Sequence, residues 1–137
     1  MSRCVFCRSD GGEVIWRNDL CRVVIPVEPD YPGFLRVVVN AHVKEMTDLA
    51  ASDRVEVMRV VFAAEAALRQ VLRPDKINLA TLGNRVPHVH WHVIPRFTDD
   101  PHFPNPIWSA KRREWVRAAD PELPAQLALG IHRQLTS

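Results

Sequence analysis

The sequence lacks the features that mark membrane proteins, disulfide-rich secreted domains and nucleic-acid-binding proteins. No apolar run in the 137 residues approaches the roughly 18 residues of a membrane span. Residues 1–4 contain no apolar signal core, so we expect a cytoplasmic protein with no membrane partner. The odd count of three cysteines argues against a disulfide framework. Eighteen basic and sixteen acidic residues give a net charge of +2, which is too small to indicate a nucleic-acid partner.

The composition is that of one globular domain. Hydrophobic residues make up 47% of the chain and charged residues 25%, and the length allows a sizeable core. The eleven prolines cluster in short stretches that we interpret as turns rather than as a domain boundary. We therefore expect residues 1–137 to form a single domain.

Short β-branched or apolar segments alternate with turn residues and predict about five strands. The segments are 13–17, 21–27, 35–39, 77–81 and 88–95. Their connections are too short for crossover helices, so antiparallel pairing is expected.

One long helical pattern covers residues 52–72 and ends before Pro74. Ser52 or Thr47 is the expected cap, and Val55 and Phe62 belong to the apolar stripe expected to face the core. Two short helices are predicted at about 109–119 and within 121–135. Strands, one long helix, strands and short helices in this order indicate the α+β class.

The most informative segment has histidines at alternate positions. Because alternate residues of a strand share a face, His88, His90 and His92 are expected to point one way. Val89 and Trp91, which lie between them, are expected to face the core. From the residues alone this pattern is compatible with packed histidines, with a metal site or with a phosphate-directed site, because alternating imidazoles can ligate zinc.

The segment resembles the signature of the histidine triad (HIT) family, in which three histidines alternate with apolar residues. The matching residues run His88-Val89-His90-Trp91-His92-Val93-Ile94. The surrounding residues are also similar to the family: Asn78 on the preceding strand, the Gly83-Asn84 turn, Pro95-Arg96, Pro32-Gly33-Phe34-Leu35, Asn40-Ala41-His42 and an N-terminal Cys-x-Phe-Cys. The resemblance implies a HIT-like fold with a core at about 4–96 and a variable tail at 97–137.

The resemblance also implies a reaction. Family members hydrolyse or transfer nucleotides such as nucleoside phosphoramidates and dinucleoside polyphosphates, so a nucleotide substrate is expected. The middle histidine, His90, would be the nucleophile that forms a covalent nucleotidyl intermediate. His92 would contact the phosphate or the leaving group and supply a proton, while Asn78 and Asn84 would donate to phosphate oxygens. Transfer to an acceptor other than water, and nucleotide binding without catalysis, are the alternative functions.

The chain departs from the family pattern near Pro26. Many relatives carry there an acidic residue that binds the ribose hydroxyls. Glu28 and Asp30 lie close to this position in the sequence.

Cys4 and Cys7 have a spacing that can chelate one metal ion, but a structural zinc site needs four ligands. Relatives that begin with Cys-x-x-Cys complete a zinc site with two histidines, and the resemblance places these at His42 and His88. The competing interpretation is a pair of packed or free thiols. Cys21 has no partner of this kind and is expected to be a small buried residue.

Several residues near the C-terminus carry no motif. His102 and His132 are expected at the surface or in packing roles. Trp108 and the basic residues 111–113 are expected to cover the pocket, to bind phosphate or to form a solvated helix face. Family members are usually dimers, so the resemblance implies a homodimer with the long helix and central strands at the interface.

Overall fold

The structure, a computed structural model, describes residues 3–115 and 117–137. In chain order the elements are α1 (Val5–Arg8), β1 (Glu13–Arg17), β2 (Cys21–Ile25), β3 (Leu35–Val39), a 3-10 helix (Met46–Asp48), α2 (Ala51–Leu72), β4 (Lys76–Ala80), β5 (His90–Arg96) and α3 (Leu123–Thr136). None of the helices formed by these residues combines the length and apolar content that a membrane span requires.

The five strands form one antiparallel sheet in the order β1-β2-β3-β5-β4, which confirms the predicted α+β class and sheet. The predicted strand 21–27 ends at Ile25, since Pro26 has no backbone N–H to continue the ladder. The strand predicted at 88–95 begins at His90, two residues later than expected. Val89 pairs through its backbone with Val39 and Val43, so His88 lies just outside the regular strand.

The long helix begins one residue before its predicted start. Ala50 occupies the N-cap position and no side chain caps the helix, so the prediction that Ser52 or Thr47 would do so is wrong. Thr47 lies instead in the preceding 3-10 helix. At the other end Arg73 adopts a left-handed conformation with φ of 49°, and Pro74 follows it as predicted.

The face of α2 that enters the core differs from the predicted stripe. Val57, Val60 and Leu68 are fully buried, whereas Val55 and Phe62 are 70% and 54% exposed. Alanine and valine occur on most sides of this helix, so spacing alone did not identify its buried face.

Helices α2 and α3 pack together against one face of the sheet. Leu127 and Ile131 of α3 are completely buried in the main hydrophobic core. A Cβ atom at Gly130 would lie 3.0 Å from the Cβ of Ala67, so the missing side chain allows the two helices to approach closely. The C-terminal residues therefore contribute to the same core as the sheet.

Residues 97–115 are irregular and lie across the opposite face of the sheet. The helix predicted at 109–119 is absent from the described residues of that range; residue 116 lies outside them. Arg112 and Arg113 donate their backbone N–H groups to the carbonyl of Pro101, and the Arg113 side chain donates to the carbonyls of Asp100 and Phe103. These contacts replace the helical hydrogen bonds, so the basic residues do not form a helix face.

Candidate active site

The histidines of β5 lie on the face of the sheet opposite α2. Val89, Trp91 and Val93 pack into the main core, as the alternation predicts. His90 and His92 point to the other face, where their ring centroids are 5.0 Å apart. Both rings are buried by their neighbours and line a cleft.

The ring of His90 is fixed by its own chain. Nδ1 lies 2.7 Å from the backbone carbonyl oxygen of His88, and only a protonated Nδ1 can donate to that oxygen. The other ring nitrogen, Nε2, then carries the lone pair. Burial lowers the pKa of His90; the hydrogen bond to His88 partly opposes this, and the positive charge of Arg36 adds to it. A neutral ring with a free Nε2 is the form that nucleophilic attack requires.

His92 lies between two aromatic side chains. Its ring packs edge to face against Phe34 at 5.6 Å and Trp108 at 5.2 Å between centroids. Burial lowers its pKa to about 4, with further contributions from His90 and Arg36. Its buried Nδ1 has no hydrogen-bond partner among the described residues.

A cleft of about 1020 Å³ opens over these two histidines. This volume is close to the upper end of the range of sites for small molecules. Its walls come from the N-terminal segment, the β2–β3 connection, β3, the β4–β5 connection and Trp108. The lining residues are Val5, Phe6, Ser9, Asp10, Gly11, Gly12, Pro26, Val27, Glu28, Arg36, Leu82, Gly83, Asn84, Arg85, Val86, His90, His92 and Trp108.

The two asparagines expected near phosphate occupy different places. Asn84 is exposed in the cleft wall, directly after Gly83, whose φ of 79° makes the turn. Asn78 pairs with Ile94 in the sheet and is not among the described residues lining the cleft. Its side-chain oxygen accepts a hydrogen bond of 2.7 Å from Arg96 Nη1. The structure thus brings Asn84, but not Asn78, into the cleft with the histidines.

The two acidic residues near Pro26 also lie in different places relative to the cleft. Glu28 lines the cleft together with Pro26. Asp30 lies outside the lining, and its carboxylate is 4.0 Å from Lys111 Nζ. Glu28 is therefore the acidic side chain of this connection that a bound ligand can meet.

Arg36 is a cleft residue that sequence reasoning missed. On β3 its Cα is paired with that of His92, so the two side chains share a face. Its guanidinium lies 5.8 Å from the ring centre of Phe6 and 5.7 Å from that of Phe34. Its alternation with Leu35 and Val37 indicates that Arg36 points away from the main core. Only the pairing of β3 with β5 places it beside the histidines.

The four residues predicted to ligate zinc converge on one point. Cys4 Sγ is 3.3 Å from His88 Nδ1, Cys7 Sγ is 3.4 Å from His42 Nδ1, and the two histidine Nδ1 atoms are 3.1 Å apart. All four ligand atoms lie within 4.8 Å of one another. The ligand atoms of a tetrahedral zinc site are separated by about 3.3–3.8 Å, as zinc–ligand bonds of about 2.0–2.3 Å require.

The protonation of His88 also fits metal binding. Its Nε2 donates to the carbonyl oxygen of Val39, which leaves the Nδ1 lone pair directed at the two sulfurs. Two thiols and two imidazoles form a donor set that suits zinc. The Cys4, Cys7, His42 and His88 cluster can therefore hold a metal ion.

Comparison with known proteins identifies the family to which the chain is similar. The family model for the HIT domain matches residues 10–99, which include all five strands and α2. The AP-4-A phosphorylase of Mycobacterium tuberculosis is 33% identical over 106 residues, which are 73% of this chain and 54% of that protein. The asymmetrical bis(5'-nucleosyl)-tetraphosphatase of Schizosaccharomyces pombe is 28% identical over 91 residues, which are 63% of this chain and 50% of that protein. The chain thus spans about half the length of these curated relatives.

The fold is also similar to those of solved structures from this family. A histidine triad protein from Bradyrhizobium japonicum has a TM-score of 0.73 at 27% sequence identity, and the match covers 91% of both chains. Together with the match over residues 10–99, this shows that the chain belongs to the HIT domain family.

Proposed function

We propose that the protein is a nucleotide hydrolase that cleaves at the α-phosphate of nucleoside phosphoramidates or dinucleoside polyphosphates through a covalent nucleotidyl-histidine intermediate. The observation that carries this proposal is the His90 ring, held by its own backbone with Nδ1 protonated and placed in the wall of a cleft. The names of the two curated relatives, a phosphorylase and a tetraphosphatase that act on nucleotides, support the substrate class.

In the proposed reaction the Nε2 lone pair of His90 forms a bond to the α-phosphorus. The bond from phosphorus to the leaving atom breaks, and its electron pair stays on that atom. The Nδ1 proton remains hydrogen-bonded to the His88 carbonyl, which stabilises the positive charge that develops on the ring. Water then attacks the phosphorus and loses one proton to solvent or to the departed group. The phosphorus–nitrogen bond breaks, and Nε2 recovers its lone pair as the nucleoside monophosphate is released.

Two neighbours would assist this step. His92, a neutral ring at pH 7, would donate its N–H to the phosphate or to the leaving atom. The exposed amide of Asn84 would donate to phosphate oxygens as their charge rises. Asn78 stays a predicted phosphate ligand, although its side-chain oxygen is bonded to Arg96.

Turnover of the His90→Asn variant tests the proposal. We expect the wild-type protein to release nucleoside monophosphate from an adenosine phosphoramidate or from diadenosine tetraphosphate, and the variant to lose at least about 10⁴-fold in kcat. His132→Asn, at an exposed position of α3, is the matched control and should keep wild-type activity. Full activity in His90→Asn would contradict the proposal, as would tight nucleotide binding by a wild-type protein that turns over none of these substrates.

The second candidate function is transfer of the nucleotidyl group to inorganic phosphate instead of water. The relative named as a phosphorylase favours it. The same residues would serve, and the products discriminate: diadenosine tetraphosphate yields AMP and ATP on hydrolysis but ADP and ATP on phosphorolysis. AMP as the sole nucleotidyl product at millimolar phosphate would exclude this candidate.

We also propose that Cys4, Cys7, His42 and His88 bind one structural zinc ion, which would tie the N-terminal segment to the strand of the triad. Their convergence on one point supports this. We expect about one zinc per chain in protein purified without added metal, loss of zinc in Cys7→Ser, and retention in the control Cys21→Ala. A metal-free wild-type protein whose melting temperature does not change on zinc addition would contradict this assignment.

We further propose a homodimer in which α2 contributes to the interface. Val55 and Phe62 are exposed apolar side chains seven residues apart, so they lie on the same side of this helix. We expect Phe62→Glu to convert a dimer to a monomer in light-scattering measurements, while Gln70→Glu, with the same charge change at an exposed position, leaves it dimeric. A monomeric wild-type protein would contradict this proposal.

A further inference from the structure

In the sheet, the backbone of Arg36 is paired with the third histidine and not with the nucleophile. In the pairing of β3 with β5, Arg36 is opposite His92, while Val38 is opposite His90. Directly opposed residues of an antiparallel pair point to the same side, so the Arg36 side chain enters the cleft next to His92. In the proposed reaction His92 serves the phosphate or the leaving atom, so this pairing brings Arg36 within reach of the departing group.

Two aromatic rings hold the guanidinium close to both histidines. It lies against Phe6 and Phe34, and these rings in turn contact His90 at 4.8 Å and His92 at 5.6 Å between centroids. Cation–π contact orients an arginine without using its N–H groups, which therefore stay available for an anion.

Among the described residues there is no close counter-ion for this charge. Arg36 forms no ion pair within 4.0 Å in the part of the chain that the structure describes, and its buried Nε has no hydrogen-bond partner there. Burial lowers its pKa, and Glu28 on the cleft wall partly opposes this effect. A partly buried guanidinium with free N–H groups is suited to bind phosphate in bidentate geometry.

The chemistry of the departing group distinguishes the two proposed substrate classes. When a phosphate chain leaves, the electron pair of the broken bond adds one negative charge to that chain, and a nearby guanidinium stabilises it. When an amine leaves, its nitrogen must gain a proton. His92, a neutral ring whose pKa is far below 7, is a weak acid for that task.

We propose that Arg36 binds the phosphate chain that departs from the α-phosphorus, so that the cleft favours dinucleoside polyphosphates over phosphoramidates. This inference rests on the proposed attack by His90. It assigns Arg36 the role of recognising the leaving group through charge and hydrogen bonds.

The test compares two substrates in the Arg36→Met variant. We expect kcat/KM for diadenosine tetraphosphate to fall by about 10- to 100-fold, because one or two hydrogen bonds to a charged group are lost. The fall in kcat/KM for adenosine 5'-phosphoramidate should be much smaller. Arg36→Lys should recover part of the loss, and Arg69→Met, the same change at an exposed position of α2, should have no effect. Equal losses for both substrates, or no loss, would overturn the assignment.

A binding measurement separates failure of this inference from failure of the proposed function. In a His90→Asn background, which prevents attack, ADP carries the additional phosphate that AMP lacks. We expect ADP to bind more tightly than AMP by calorimetry, and Arg36→Met to reduce their affinity ratio towards one. An unchanged ratio would overturn the role of Arg36 even if turnover proceeds through His90, whereas a collapsed ratio without wild-type turnover would contradict only the proposed reaction.

Discussion

Two clusters of buried polar side chains lie on the same face of the sheet, and the protein satisfies them to different degrees. In the first cluster, the Asp100 carboxylate accepts hydrogen bonds from Arg96, from the hydroxyl of Tyr31 and from three backbone N–H groups. In the second, at the cleft, Arg36 Nε and His92 Nδ1 have no partner among the described residues.

The difference in hydrogen bonding indicates that the first cluster has a structural role and the second a functional one. Buried polar groups normally have hydrogen-bond partners, so a complete cluster is explained by the fold it holds together. The Asp100 cluster fastens residues 97–115, and with them Trp108, to the sheet. The cleft cluster lacks partners in two side chains that line the cleft, which fits the proposal that its partners come with the substrate. Trp91 Nε1 is a third buried atom without a described partner, but Trp91 packs against the main core on the opposite face of the sheet.

Breaking the satisfied cluster should destabilise the protein more than any other change considered below. Asp100→Ala leaves the buried guanidinium of Arg96 without its carboxylate, and losing one partner of a buried ion pair costs about 3–5 kcal/mol. Urea denaturation at pH 7 measures this cost, with His92→Asn in the cleft as the comparison, where we expect less than about 1 kcal/mol. Similar values for both variants would remove the distinction between the clusters.

Acid should weaken the same cluster. The Arg96 guanidinium and three backbone N–H groups outweigh burial and hold the pKa of Asp100 well below its ordinary value. The ionised carboxylate therefore contributes its full stability above the unfolded-state pKa of about 3.9, and this contribution is lost as the pH falls towards the folded-state pKa. We expect the urea midpoint of the wild type to fall more steeply between pH 5 and 3 than that of Asp100→Asn. Parallel curves would contradict this account of Asp100.

The two asparagines are expected to behave differently, because one lies in the cleft and the other is hydrogen-bonded to Arg96 of the satisfied cluster. Asn84→Ala is expected to lower kcat/KM by about tenfold, because one donor to a charged phosphate is lost, and to change stability little. Asn78→Ala is expected to destabilise the fold by about 1–3 kcal/mol, because Arg96 Nη1 loses its acceptor. Steady-state kinetics and urea denaturation of both variants check this, and the reverse pattern would show that Asn78 is the phosphate ligand.

The smallest expected effect is a gain in stability. Arg36→Met removes a partly buried cation that forms no ion pair with the described residues and replaces it with an apolar side chain, which is neutral or stabilising by about 1 kcal/mol. Thermal unfolding in the absence of nucleotide measures it. A loss of more than about 2 kcal/mol would mean that the protein itself satisfies Arg36.

Features that depend on local spacing could be predicted from the sequence. The alternation of histidine with apolar residues fixed which side chains share a face of β5, and the end of α2 followed from Pro74. The spacing of Cys4 and Cys7 indicated a metal site, but the other two ligands came only through resemblance, because His42 and His88 are distant in the sequence. The structure places all four together.

Features that depend on long-range pairing could not be predicted. A lone arginine within a strand is usually solvent-exposed, so Arg36 became a cleft residue only through the register with His92. The basic residues 111–113 have good helix propensity, yet backbone contacts to Pro101 and the side-chain bonds of Arg113 replaced the helix. Propensity is a weak guide where tertiary hydrogen bonds compete with it.

The intact mass of the protein during turnover tests whether His90 forms a covalent intermediate. Wild-type protein mixed with diadenosine tetraphosphate and quenched within its first turnover in alkaline denaturant should gain the mass of one adenylyl group, located on His90 by fragmentation. His90→Asn should gain none. Rapid turnover without a covalent adduct, or an adduct on another residue, would contradict nucleophilic attack by His90.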